Sequence, residues 1–153
     1  MEFAIFLLLV GVILGVAAVA WSVLVQGRQM QAAKNTLNES NNCLMKYMLM
    51  AKKIPTLQYF LDSCKKSDPW GTDLRYISAN NNGELNCNAA SNGVLTVTVA
   101  PGDIKSSIAW IIISAGPDRQ FDYSRSSFHV DLSSGDDLYV MASDMEIHNE
   151  VCQ

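Results

Sequence analysis

Between Phe3 and Val25 the chain has no ionisable side chain and no Asn, Gln or Pro. A stretch so empty of charge is not an ordinary surface helix, and its length is about what a helix needs to cross a bilayer core. No run of Lys and Arg exceeds a pair (Lys52-Lys53, Lys65-Lys66) and the net charge is −4, which excludes the basic stripe of a nucleic-acid footprint. The two histidines, His129 and His148, stand in different segments, and no Ser occupies a nucleophile elbow. A Gly-rich phosphate loop, a haem-attachment motif and a metalloprotease pattern are all missing. Without converging groups, a non-enzymatic role is expected. The four cysteines, Cys43, Cys64, Cys87 and Cys152, show neither CxxC nor Cys/His metal spacing, so disulfides in an oxidising compartment are expected.

What is present divides into two unlike pieces. Apolar residues make up 49% of the chain but crowd into its start, and the remainder is rich in Asn, Ser and Asp. The first segment could be a signal peptide, a membrane anchor or an assembly helix. A signal peptide needs a basic n-region, and Met1-Glu2 stands in its place, although "VAAVA" has the small residues of a cleavage site. The first bases, Arg28 and Lys34, follow the span and by themselves would retain the rest of the chain in the cytoplasm. The cysteines point the other way, and a basic leader preceding Met1 would reconcile the two signals.

Beyond Val25 the helical pattern continues. Met30, Ala33, Leu37, Leu44, Tyr47 and Ala51 recur at three-four spacing with Ser40 as the weak member, which predicts an amphipathic stripe. Gly27 is a point of local weakness, and Pro55 ends the helix. Residues 1–25 thus form an apolar helix, 26–53 its amphipathic continuation, and 54–153 a globular head. In the head, "TLQYFLDSC" predicts a short returning helix with Leu57, Phe60 and Leu61 on one face. "LRYIS", "GELNC", "GVLTVTVA", "SIAWIIIS" and "DLYVMAS" read as strands, the fourth apolar enough for the sheet centre. The expected fold is α+β: a long N-terminal helix, its first half membrane-spanning, packed on a small antiparallel sheet.

Particular residues carry a resemblance. Glu2 follows a hydrophobic residue, Gly11 lies nine residues after it, and later come Asp68-Pro69-Trp70-Gly71, Ala115-Gly116-Pro117-Asp118 and "GDDLYV". In these the chain resembles the type IV pilin and type II secretion pseudopilin family, in particular its major-pseudopilin-like branch. Mature members typically begin Phe-Thr-Leu-Ile/Val-Glu, so by this match the sequence lacks the basic leader and the first few mature residues. One departure is the missing helix-kinking Pro in "VAAVAWSV"; Gly11 and Gly15 permit the helix to loosen there without compelling it. The resemblance implies a pilin-like fold and a subunit that polymerises through its N-terminal helix into a type IV pilus-like filament. It implies partners accordingly: further copies of itself, the inner membrane before assembly, and the pilus or secretion assembly machinery. The filament would be extracellular or periplasmic. The alternatives are the major pseudopilin of a type II secretion system and a monomeric membrane-anchored exported binding domain.

The resemblance also gives residues roles. Glu2 would pair with the free N-terminal amine of a neighbouring subunit, an opposite charge being the best offset for a carboxylate in a low dielectric. Apart from the resemblance, Trp70 is expected to anchor its turn in the core and not to bind a ligand. The cysteines allow three pairings; the chain reverses at Pro55 with legs of similar length, which would bring Cys43 to Cys64 and leave Cys87 to Cys152. Between "SIAWIIIS" and "DLYVMAS" the chain carries Asp118, Asp122, Asp131, Asp136 and Asp137. In the resembled branch this loop holds calcium, and Asp118, Asp122 and Asp136 match best, with Asp137 as a substitute. Arg119 and Arg125 offer another arrangement, in which arginines pair with the aspartates and no metal is held.

Overall fold

The computed structural model describes residues 2–78 and 95–152, with side chains from Val10 onward. Its first element, α1, is an unbroken helix over Glu2–Ala51 that passes through Gly11, Gly15 and Gly27 without interruption. Its 50 residues extend about 75 Å. The two halves meet different surroundings. Ile13, Val16, Trp21 and Leu24 are each at least 60% exposed. With a mean hydropathy of 2.0 and none of its most apolar window buried, α1 is the one helix among the described residues long and apolar enough to cross a membrane.

The second half is seated on the head. Ala33, Leu37, Ser40, Leu44 and Met48 are buried in one stripe, spaced by four, three, four and four residues as a helix face requires. Met48 takes the central place expected for Tyr47, which is half-buried and stacks on Tyr59 with ring centroids 3.8 Å apart. The helix stops at Ala51, two residues before the expected Lys53. Lys52 turns left-handed (φ 54°) and its N–H still reaches the Met48 carbonyl at 2.8 Å, a helix-ending geometry.

The chain then returns through α2 (Leu57–Tyr59), capped by the Thr56 hydroxyl, and a π-helical turn over Phe60–Cys64. Of the face expected to be buried, only Phe60 is; Leu57 and Leu61 are 54% and 45% exposed. The inward side of the π turn carries Phe60 and Cys64. Cys64 there bonds to Cys43, Cα–Cα 5.7 Å. Cys152 is also disulfide-bonded, while Cys87 and the strand expected at "GELNC" lie outside the described residues.

The sheet comprises β1 (Arg75–Ser78), β2 (Leu95–Ala100), β3 (Asp103–Ser114), β4 (Ser124–Ser126), β5 (His129–Asp131) and β6 (Leu138–Ser143). The long β3 is its axis and pairs antiparallel with β1, β2 and β6. The sheet is not wholly antiparallel as expected: β5 runs parallel to β2, with Val97 opposite Val130. The long excursion through β3 and the following loop allows this, because parallel neighbours need a crossover rather than a tight turn. Both faces of β3 are covered from Ile108 to Ser114, which explains the unbroken apolar run there, while Asp103 to Ser107 are exposed. Trp110 and Ile112 face α1 with Leu44, Met48, Phe60 and Leu74, while Ile111 and Ile113 join Leu95, Val97 and Val130 in a second cluster.

A last helix, α3 (Asp144–Val151), was not expected from the sequence. The Ser143 hydroxyl accepts the Glu146 N–H at 3.1 Å, and Ser-x-x-Glu is the sequence signature of such a start. Ile147 and Val151 complete the core beneath α1, and the Lys52 ammonium donates to the Val151 carbonyl at 2.8 Å.

Replacing Leu44, fully buried in the stripe, by Ala should cost about 2–5 kcal/mol in denaturant unfolding of the detergent-solubilised chain. Met50→Ala, at a position 80% exposed, should change it by about 0.5 kcal/mol or less. Selective opening of Cys43–Cys64 should cost about 2–4 kcal/mol in the same assay.

Candidate functional site

The site begins at the turn between α1's return segment and β1. Asp68 is only 5% exposed, a burial a carboxylate tolerates only when well bonded. One oxygen, Oδ1, accepts the N–H groups of Trp70 (3.1 Å) and Thr72 (2.8 Å). The other, Oδ2, accepts the Ser114 hydroxyl at 2.8 Å. Gly71 completes the turn with φ 87°, and its N–H bonds the Asp68 carbonyl at 3.0 Å. Asp68 thereby ties the Asp68–Gly71 turn to the last residue of β3, from which Ala115-Gly116-Pro117-Asp118 departs. The two motifs behind the resemblance are one bonded unit. Trp70, expected in the core, is instead half-buried at the rim, because the Asp68 carboxylate, not the indole, anchors the turn.

The loop after Ser114 folds back on its own far end. Gly116 has φ 70°, and a Cβ there would lie 2.7 Å from the Asp136 carbonyl oxygen, so only glycine fits this crossing. The Asp122 N–H donates to Asp137 Oδ2 at 3.0 Å. From β1, the Arg75 guanidinium lies over Phe121 (4.0 Å to the ring centroid) and donates to the Tyr123 hydroxyl at 3.2 Å. Arg75, Phe121 and Tyr123 brace the loop, a role that nothing in their sequence positions announces.

This folding brings Asp118, Asp122 and Asp136 together: one carboxylate oxygen of each lies within 4.8 Å of the others, and all three residues are exposed. A hard cation with ligand oxygens at about 2.3–2.6 Å needs such spacing. Two further observations suit a cation. Asp137 Oδ1, beside the cluster, is buried with no hydrogen-bond partner. A Cβ at Gly135 would lie 2.4 Å from Asp122 Oδ2, so glycine leaves that carboxylate room. Asp118, Asp122 and Asp136 would hold calcium, with Asp137 beside them and its Oδ2 accepting the Asp122 N–H. Bound calcium would supply a positive charge that joins the two ends of the loop. Asp131 stands apart, accepting the Ser133 N–H at 2.9 Å. Neither Arg119 nor Arg125 forms an ion pair with the cluster among the described residues.

Burial pushes the Asp137 carboxyl up to about 6, and the Asp122 and Asp136 carboxylates add to the rise against opposing bonds from the backbone.

The other expected site residues lie elsewhere. Gly11 and Gly15 are on the exposed half of α1, where an added Cβ would meet nothing within 4 Å among the described residues. Glu2 belongs to α1, but its side chain lies outside the described residues. His129 is in β5 with Nε2 3.3 Å from the Thr98 hydroxyl, and His148 is in the last turn of α3. Comparison with protein-family models, curated proteins and solved structures found no match.

Two outcomes test the loop. Calcium at about a hundredfold excess over its Kd should add about 2.7 kcal/mol and raise the melting midpoint by several degrees. A chelator should remove that gain and Asp122→Asn should abolish it. Without metal, the folded chain keeps on Asp137 a proton that the unfolded chain releases between about pH 4 and 6. Stability of the metal-free protein should therefore fall as pH rises through that window, and Asp137→Asn should flatten the fall.

Proposed function

We propose that this chain is a structural, non-enzymatic subunit that polymerises through the first half of α1 into a type IV pilus-like filament, having been held in the inner membrane before assembly. The observation that carries the reading is the division of one continuous helix. Its second half is seated on the head by a buried stripe, while its first half stands clear of the head with its apolar side chains exposed. Such a surface needs either lipid or other helices around it. Gly11 and Gly15, with open space where a Cβ would be, allow neighbouring helices to approach closely. Glu2 would then meet a neighbour's terminal amine and set the axial register.

A second reading, the major pseudopilin of a type II secretion system, is favoured by the Asp118–Asp122–Asp136 cluster, because a calcium-holding loop belongs to that branch of the resembled family. In that case the filament is periplasmic and serves secretion. Localising filaments by electron microscopy of intact cells separates the two, and detergent-soluble monomers alone would favour the anchored binding domain.

Glu2→Ala should leave the head folded and the chain membrane-inserted but sharply reduce filaments in electron micrographs. Assembly at wild-type yield would overturn the pairing role of Glu2.

A further inference from the structure

Trp70 and Pro117 on the head, with Gln26, Gln29 and Met30 on α1, line a cleft of about 360 Å³. An indole, a proline ring and a thioether give it apolar surface and two amides give it hydrogen-bonding groups; none of these side chains is charged. The indole is half-buried there although Asp68 already holds its turn through the backbone. The cleft's level along α1 is informative. Gln26 to Met30 follow the end of the uncharged run at Val25 by one to five residues, about 1.5–7.5 Å along the axis. The headgroup layer on each side of a bilayer core is about 5–8 Å thick. With residues up to Val25 in hydrocarbon, the cleft stands at headgroup depth, where amphipathic rings such as tryptophan concentrate. Arg28, exposed on α1 at the same level, is placed for lipid phosphate.

We propose that Trp70 and Pro117 are a membrane-contact edge of the head. Before assembly this edge rests in the headgroup layer of the bilayer that holds α1, and lipid occupies the cleft. The proposal rests on the reading of the first half of α1 as membrane-spanning, and it adds a second point of contact that fixes the depth and tilt of the head.

The chain has three tryptophans, which makes the test internal. Trp21 is on the exposed apolar half of α1 and Trp110 is fully buried in the head. The full chain is reconstituted in phosphatidylcholine vesicles whose lipids carry bromine near the headgroup end of the acyl chains, and tryptophan emission is measured. W70F reports on Trp21, W21F on Trp70, and W21F/W70F gives the Trp110 background. The expected result is quenching of W70F, and quenching of W21F beyond that of W21F/W70F. If W70F is quenched while W21F matches W21F/W70F, the membrane edge is overturned and the spanning helix stands. If W70F is not quenched, the spanning reading fails and takes the proposal with it. If Trp70 escapes quenching in vesicles yet is shielded from acrylamide in filaments, the cleft is a contact between subunits and the proposal is wrong.

Discussion

The seating of α1 on β3 is the contact on which the rest of the architecture depends. An isolated helix of this length has no reason to stop being solvent-exposed at any particular residue, and the stripe from Ala33 to Met48 supplies one. Trp110 is the centre of the arrangement. Its ring is fully buried from the sheet side, and its indole N–H donates to Asn41 Oδ1 on the helix at 2.9 Å. Apolar burial alone would let the helix slide along the sheet, because dispersion contacts have little directionality. One directional bond at a buried position fixes the register. With that register set, α3 closes beneath, the return segment packs alongside, and β3 is held so that its C-terminal end presents Ser114 to Asp68.

Much of this was legible in the sequence because it rests on periodicity. The uncharged run, the three-four stripe and the continuous apolar β3 each encode burial directly in residue order. Elements set by local bonding were harder to read. In the short return segment the apolar spacing does not decide the inward face, and Leu57 and Leu61 face out while Phe60 and Cys64 are buried. The start of α3 was written in Ser143 and Glu146, a pattern visible without structure. The parallel pairing of β2 with β5 involves strands too short and too far apart in sequence to announce their partner. Trp70 misled for a different reason: an aromatic residue in a conspicuous motif suggests a core anchor, whereas the carboxylate two positions earlier does the anchoring.

The candidate metal site illustrates the same division. The aspartates were visible as residue types, but five of them lay between the strands and only three converge. Selection comes from the backbone. Gly116 crosses against Asp136, Gly135 makes room for Asp122, and the Asp137 carboxylate holds the Asp122 amide. Spacing along the chain carries no trace of such crossings. Arg75 is equally unreadable in advance, since its partners Phe121 and Tyr123 lie more than forty residues away, across a strand boundary.

The disulfide between Cys43 and Cys64 has a mechanical consequence. In the proposed filament, load would draw on each head through its helix. The bridge joins positions separated by 21 in sequence, so tension travelling down α1 can pass at Cys43 straight into the return segment at Cys64. The residues between them, including Leu44, Met48, Ile54 and Phe60 of the core, form a closed loop that a pull on the chain ends cannot lengthen. The end of the helix and the turn at Pro55 would thus be taken out of the line of force, and the core residues within the loop would be shielded if such a polymer were stretched.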